Sequence, residues 1–311
     1  MKSTVRKMVL AVCLATVVLR AETLTIATYN VENYVAAGRR VDGVYRRAYP
    51  KPEAAKQALR TVIRELNADV LALQEMGPAP YLQELQRDLR SEGMDYPHAV
   101  LAEAADADRH VALLSRRPLS RVETQADLGF KYFNGWERVK RGVLEVGLAA
   151  GEGDVTLFVV HLRSRFTERA DDPNSARCRA GEAGAIRDFV LRRFPDPRAA
   201  RFLILGDCND TKDSKPLRLL RRRGRTVIAE LLAAADARGD TWTHTYRKEE
   251  TYTRVDHILV SPGLASAVSG GRAQIYDGPG GREASDHRPV LVRLEMDKLT
   301  PLVRATGTPA R

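Results

Sequence analysis

Six short apolar segments of this chain each meet a polar side chain at one end, and that repetition constrains the fold more than any other feature. "TLTIATYN" (23–30) closes on Asn30, "DVLALQE" (69–75) on Glu75, and "DVTLFVVHLRS" (154–164) reaches His161. "RFLILGDCND" (201–210) passes from an apolar run into Asp207 and Asn209, "RVDHILVS" (254–261) opens with Asp256 and His257, and "SDHRPVLVRLE" (285–295) opens with Asp286 and His287. Short apolar runs of this length read as buried strands, and "RHVALLSR" (109–116) and "RGVLEVGLA" (141–149) add two more. Between them a helix is predicted over 52–67, where Pro52 suits the first turn and Leu59, Val62, Ile63 and Leu66 share one face. A second helix is predicted from about Ser175 to Arg193. One polar strand end is ordinary. Six of them, with amides and histidines among the carboxylates, point to one site held at a sheet edge by rigid apolar strand bodies.

The residue types narrow the chemistry. Carboxylate and amide oxygens are hard ligands that suit Mg²⁺, Mn²⁺ or Ca²⁺. His287 beside Asp286, with Asp256 from another strand, could form an oriented imidazole that takes a proton from water. His161 and Asn209 can donate hydrogen bonds to a developing oxyanion. Together these groups describe hydrolysis of a phosphate ester. No Gly-x-Ser-x-Gly, Walker-A or dinucleotide glycine pattern occurs, and the histidines lie far apart without cysteine partners, which argues against structural zinc. Cys208 alternates with Asp207 and Asn209 along its strand, so it should point away from them into the core. A redox link to Cys178 is the other option for it.

In chain order, "TYNVEN", "LALQE", "VVHLRS", "LILGDCND", "RVDHILVS" and "SDHRPV" span residues 28–290. They resemble the successive motifs of the endonuclease/exonuclease/phosphatase superfamily, which includes deoxyribonuclease I, exonuclease III, neutral sphingomyelinases and inositol-polyphosphate 5-phosphatases. The resemblance implies a four-layered α/β sandwich, with two mostly antiparallel β-sheets packed face to face and helices outside. It implies that Glu75 is the principal metal ligand with Asn30 beside it, and that Asp286 is the carboxylate adjoining the catalytic His287. Asp207 and Asn209 match a Gly-Asp-x-Asn motif whose aspartate handles protons or the water and whose asparagine holds the phosphate. Asp256 resembles the aspartate that orients the histidine. His161 is similar to the histidine of deoxyribonuclease-like and sphingomyelinase-like members, where apurinic-site enzymes place tyrosine. Cys208 departs from the pattern, which usually has an apolar residue there. The implied cofactor is Mg²⁺ or Mn²⁺, with Ca²⁺ as a further option.

The chain ends and the connecting segments bear on location and substrate. Residues 1–21 combine a basic start (Lys2, Arg6, Lys7), an apolar run from Met8 to Leu19 and Ala21. That run is too short to span a bilayer and reads as a signal peptide, so export to the periplasm or medium is expected. One domain is expected over 22–297, followed by a flexible tail over 298–311. Loss of residues 1–21 removes four basic residues and no acidic one, taking the net charge from +10 to +6. A positive surface favours polyanions. Three segments near the motifs mix aromatic and basic residues, namely 34–51, 130–141 and 242–254. Cations for phosphates beside rings for bases suit nucleic acid. Arg109 and Arg141 are expected to contact substrate together with Asn209, while the basic run 217–225 reads as the solvated end of a helix. The expectation is a monomeric, metal-dependent nuclease of DNA or RNA without an obligate protein partner. The alternative is a phosphodiesterase or phosphatase of phospholipid or inositol phosphate on the same scaffold. A binding protein that had lost catalysis should lack one of Glu75, Asp207, Asn209 or His287, and all four are present.

Overall fold

Burial on both faces explains why the strands read as continuous apolar runs rather than alternating ones. In β1 (Thr23–Tyr34), Ile26 points into one buried cluster while Ala27, Tyr29 and Val31 point into another. The computed structural model describes residues 22–150 and 153–299, so the expected signal segment and most of the expected tail lie outside the described residues.

After β1 come α1 (Glu53–Leu66), β2 (Val70–Met76), α2 (Ala79–Ser91), β3 (His98–Leu101), β4 (His110–Ser115) and β5 (Leu119–Gln125). Then follow β6 (Val143–Ala149), β7 (Asp154–His161), α3 (Ala176–Arg193), β8 (Phe202–Asp207) and α4 (Lys215–Arg221). The short β9 (Glu230–Leu231) and β10 (Ala234–Ala235) lead to β11 (Asp256–Val260), β12 (Ala273–Ile275) and β13 (Val290–Glu295). A seven-stranded sheet has the order β10-β12-β13-β1-β2-β4-β3, and a six-stranded sheet has the order β9-β11-β8-β7-β6-β5. Parallel pairing is confined to β1 with β2, β10 with β12, and β7 with β8; every other ladder of the two sheets is antiparallel.

Three apolar clusters define four layers. Ile26, Val70, Leu113, Val146, Leu157, Leu203, Ile258 and Val292 meet between the sheets. Leu59, Val62 and Ile63 of α1, with Leu82, Leu85 and Leu89 of α2, cover the outer face of the seven-stranded sheet. Ile186, Phe189 and Val190 of α3, with Leu217 and Leu220 of α4, cover Phe158, Phe202 and Ile204 of the other. The expected sandwich is therefore the one observed. Cys208 fills that last cluster as expected, and both Cys178 and Cys208 are free thiols. No helix among the described residues is long and apolar enough to cross a membrane.

The three aromatic-basic segments are more ordered than loops. Each contains a β-hairpin: Ala37–Val41 with Val44–Tyr49, Gly129–Tyr132 with Gly135–Arg138, and His244–Tyr246 with Thr251–Thr253. In the first, Asp42 (φ 51°) and Gly43 (φ 76°) supply the two left-handed positions of a tight hairpin turn. The basic run 217–225 does form a helix end, since α4 stops at Arg221 and Arg222–Arg223 pair with Thr226–Val227.

Candidate active site

Strand register brings the polar ends together. Val160 and His161 of β7 lie beside Gly206 and Asp207 of β8, and Asp207 lies opposite Asp256 of β11. His161, Asp207 and Asp256 therefore stand abreast on three neighbouring strands. The segment before β13 delivers Asp286 and His287 from the other sheet. Ser285 fixes that segment: its hydroxyl donates to the Asn30 carbonyl at 2.8 Å and accepts the His287 N–H at 3.0 Å. Behind it the buried Arg288 donates to Asp236 at 2.6 Å and to the Tyr276 carbonyl at 2.9 Å.

The buried centre is a coupled set of charges. His287 Nδ1 lies 2.8 Å from Asp256 Oδ2, so Nδ1 donates to the carboxylate and Nε2 is left facing the site. Nε2 stands 3.9 Å from Asp207 Oδ2 and 3.9 Å from Asp286 Oδ1. Burial alone would disfavour an imidazolium here, but the Asp256 carboxylate and its hydrogen bond, then Asp207 and Asp286, outweigh it and hold the His287 pKa well above its usual range. Burial and the Asp256 charge push the Asp207 carboxyl up to about 7, against the opposing pull of His287. Asp207 also accepts from Asn30 Nδ2 at 3.0 Å, from the Asn209 N–H at 2.8 Å and from Asn209 Nδ2 at 3.2 Å. His161 lies with Nε2 3.6 Å from Asp207 Oδ2, and burial followed by the nearby Arg141 charge keeps its pKa well below the usual range. Its surroundings favour the neutral imidazole, whereas those of His287 favour the protonated one. That contrast separates a hydrogen-bond donor from an acid–base group.

The expected cation ligands gather about the turn that follows Asn30. Asn30 Oδ1 accepts the Glu32 N–H at 3.0 Å, Glu75 Oε2 accepts the Asn33 N–H at 2.8 Å, and the Asp286 N–H donates to Glu32 Oε2 at 3.1 Å. Register shifts on both sides of β2 mark a bulge at its end, and Glu75 sits there at φ 61°. A bulge with a left-handed non-glycine residue re-aims a side chain at a local cost, a feature concentrated at functional sites. Amide and carboxylate oxygens without thiolate fit a hard divalent cation. Among the described residues, ligand atoms lie within 4.8 Å of one another in Asp207–Asp256–His287 and in His244–Asp286–His287, which include Asp286 but not Glu75.

Sequence reading missed three of these participants. Glu32 contacts the Asp286 backbone, and burial and the Asp286 charge raise its carboxyl pKa. His244 lies against His287 with ring centroids 4.6 Å apart and the planes tilted by 46°, and places Nε2 3.8 Å from Asp286 Oδ2. Asp106 accepts from Arg141 Nε at 2.9 Å and from the Arg109 N–H at 3.3 Å, while Arg109 Nε donates to Asn33 Oδ1 at 2.6 Å. Arg109 and Arg141 are thus braced by protein groups, and buried Arg141 retains one Nη atom without a partner. Replacing Asp106 with Ala leaves the Arg141 charge buried without its carboxylate and should cost about 3–5 kcal/mol, read as a lower denaturant midpoint. An unchanged midpoint would show that Arg141 finds another partner.

The sequence profile of the Endonuclease/Exonuclease/phosphatase family matches residues 27–287. No curated protein matches the chain. Among solved structures, sphingomyelinase C from Streptomyces griseocarneus aligns at 18% identity over 88% of this chain and 99% of that one, with a TM-score of 0.61. A mutant form of beta toxin from Staphylococcus aureus, with bound magnesium ions, aligns at 15% identity over 87% and 99%, with a TM-score of 0.59. Truncated TDP2 from Caenorhabditis elegans aligns at 15% identity over 88% and 97%, with a TM-score of 0.57. At these identities the neighbours show the fold.

Proposed function

This chain belongs to the Endonuclease/Exonuclease/phosphatase family and is a phosphoric ester hydrolase; we propose that it is a nuclease cleaving the phosphodiester bonds of DNA or RNA. The observation that carries the substrate is the rim of the site. The hairpin after Asn30, the hairpin before β6 and the hairpin before Asp256 all leave from the strand ends that bear the site. Each presents an exposed ring (Tyr45, Trp136, Tyr246 with Tyr252) among exposed cations such as Arg46, Arg47, Lys131, Arg138 and Arg247. Rings and cations around a phosphate-hydrolysing centre suit a chain of bases and phosphates.

In this reading, His287 takes a proton from the attacking water through Nε2 while Asp256 holds the ring by Nδ1. His161 donates to the phosphoryl oxygen as its charge grows. Asn209 joins it by exchanging the longer of its two amide bonds, that to Asp207 at 3.2 Å, while keeping that to the Leu162 carbonyl at 3.0 Å. Asp207 assists proton transfer between water and leaving group. The fixed charge of Arg141 adds to that field, with Arg109 holding Asn33 and the turn around it. Asn30, Glu75 and Asp286 would hold a divalent cation, Mg²⁺ or Mn²⁺, whose charge polarises the phosphate when bound. Export directed by residues 1–21 is part of the same proposal, resting on the charge and hydropathy order of that segment.

The test is hydrolysis by the purified protein of plasmid DNA, RNA, sphingomyelin and a phosphoinositide side by side, with Mg²⁺, Mn²⁺ or EDTA. Cleavage of nucleic acid that EDTA abolishes, and that an Asp207→Ala control lacks, is the expected outcome. Turnover of lipid alone would overturn the substrate and favour the sphingomyelinase-like alternative. No turnover of any substrate would return the chain to a binding role.

A further inference from the structure

We propose that the groove between the Gly129–Arg138 hairpin and helix α3 is a track for one unpaired nucleic-acid strand leading into the site; this deepens the nuclease reading and rests on it. The groove encloses about 720 Å³ and runs from Trp136 at the hairpin to Asp210 and Lys215, directly after Asn209 in the chain.

It is built rather than incidental. Phe130 of the hairpin lies against Gly181 of α3, where an added Cβ would fall 2.2 Å from the ring. Tyr132 donates its hydroxyl to Asp172 at 2.8 Å, and Asp172 in turn accepts the Arg177 and Cys178 N–H groups at the start of α3, at 2.8 and 3.0 Å. The guanidinium groups of Arg169 and Arg177 lie 4.6 and 3.9 Å from the centre of the Phe133 ring. One hydrogen-bonded anchor, one packed ring and one cation-covered ring fix the hairpin on α3 beside a helix face of small residues.

The charge of the lining favours a polyanion. Its acidic groups are already neutralised: Asp188 pairs with Arg187 and Arg223, and Asp210 pairs with Arg165 and Arg179. Lys131 and Lys215 are left to face the groove, and Arg177, lying over the Phe133 ring, adds its charge to the lining. Trp136 is 77% exposed and is the direct cross-strand partner of Lys131. A large ring left in water beside a cation offers a stacking face and a phosphate contact at one step of a strand. A duplex hides its base faces inside its own stack, so only an unpaired base can use the ring.

The experiment compares wild-type protein with Trp136→Ala and with the Lys131→Glu/Lys215→Glu pair, all at exposed positions outside the buried polar centre. Steady-state rates are measured on an unpaired oligonucleotide, a fully paired one and bis(4-nitrophenyl) phosphate, and oligonucleotide binding is measured separately by anisotropy in EDTA. Loss of one base-stacking contact should raise KM for the unpaired oligonucleotide about tenfold, with kcat and the small-ester rate unchanged. The lysine pair should weaken binding further at low salt and flatten its salt dependence. An unpaired-oligonucleotide KM within twofold of wild type, or an equal loss on paired and unpaired substrates, would overturn the track. If the wild-type protein binds the oligonucleotide through Trp136 but never cuts it, the nuclease reading fails and the track stands. If it cuts nucleic acid and Trp136→Ala does not matter, the track alone fails.

Discussion

Alanine at His287 is expected to lower kcat/KM by about 10³-fold, within the 10²–10⁴ range typical of losing a positioned acid–base group, and alanine at Asp207 should do the same. Both side chains are buried. The pH profile gives a sharper reading than the rate. His287 is held protonated by Asp256, Asp207 and Asp286 against the opposing effect of burial, so the free enzyme must lose that proton before Nε2 can accept another. Asp207, raised to about 7 by burial and Asp256, sits in the same proton-sharing set. Activity should therefore climb as pH rises through and above neutrality. Asp256→Asn removes the charge that most stabilises the imidazolium, which should move the rising limb to lower pH while the plateau falls because the ring loses its orienting acceptor. The macroscopic midpoint belongs to the Asp207–His287 set rather than to either residue. A loss under tenfold in His287→Ala or Asp207→Ala, or an Asp256→Asn profile shifted to higher pH, would remove these groups from the reaction.

The buried polar centre was legible because each of its expected members ends or begins an apolar run, and six such ends with amides and histidines among them point to one shared site. The same logic missed His244, which lies in a hairpin edge and meets His287 through an isolated backbone bridge and a ring contact that no apolar run marks. Asp106 was invisible for a different reason: its partner Arg141, which opens the predicted strand 141–149, lies thirty-five residues away in sequence, and Asp106 itself stands outside every predicted strand. The hairpins escaped because most of their residues are exposed and no apolar run marks them, although Asp42-Gly43 carried a turn signal. Helix α2 did show a stripe, with Leu82, Leu85 and Leu89 all buried. What pattern reading recovers is burial; what it loses is contact between segments that burial does not mark.

Gly206 is where fold and chemistry depend on one missing carbon, and Gly206→Ala is expected to cost more than about 4 kcal/mol, the exceptional end of single substitutions. It lies in β8 directly before Asp207, pairs with Val160 on one side and His257 on the other, and has φ 144°, which L side chains rarely adopt. A Cβ there would fall 1.9 Å from the Val160 carbonyl oxygen and 2.9 Å from its carbon. Those are backbone atoms of a central strand, and β8 is held between β7 and β11, so neither neighbour can move aside without breaking the register that sets His161, Asp207 and Asp256 abreast. Backbone strain of about 1–3 kcal/mol therefore adds to an overlap that no rotamer relieves. Against a total stability of about 5–15 kcal/mol, the variant should be insoluble or unfold at a much lower urea midpoint. Any folded fraction should lose activity as well, since a shift of about 1 Å at Asp207 costs on the order of 10² in rate. Gly184 in α3 is the control for the same added carbon: a Cβ there meets nothing within 4 Å. In a helix interior, alanine at that position should be neutral or should stabilise by about 0.5–1 kcal/mol. Opposite signs for the two variants in one urea titration would show that Gly206 is required by close strand approach rather than by chain flexibility. A Gly206→Ala protein with wild-type midpoint and rate would mean that β7 and β8 do not meet as described, and the alignment of the catalytic residues would fall with them.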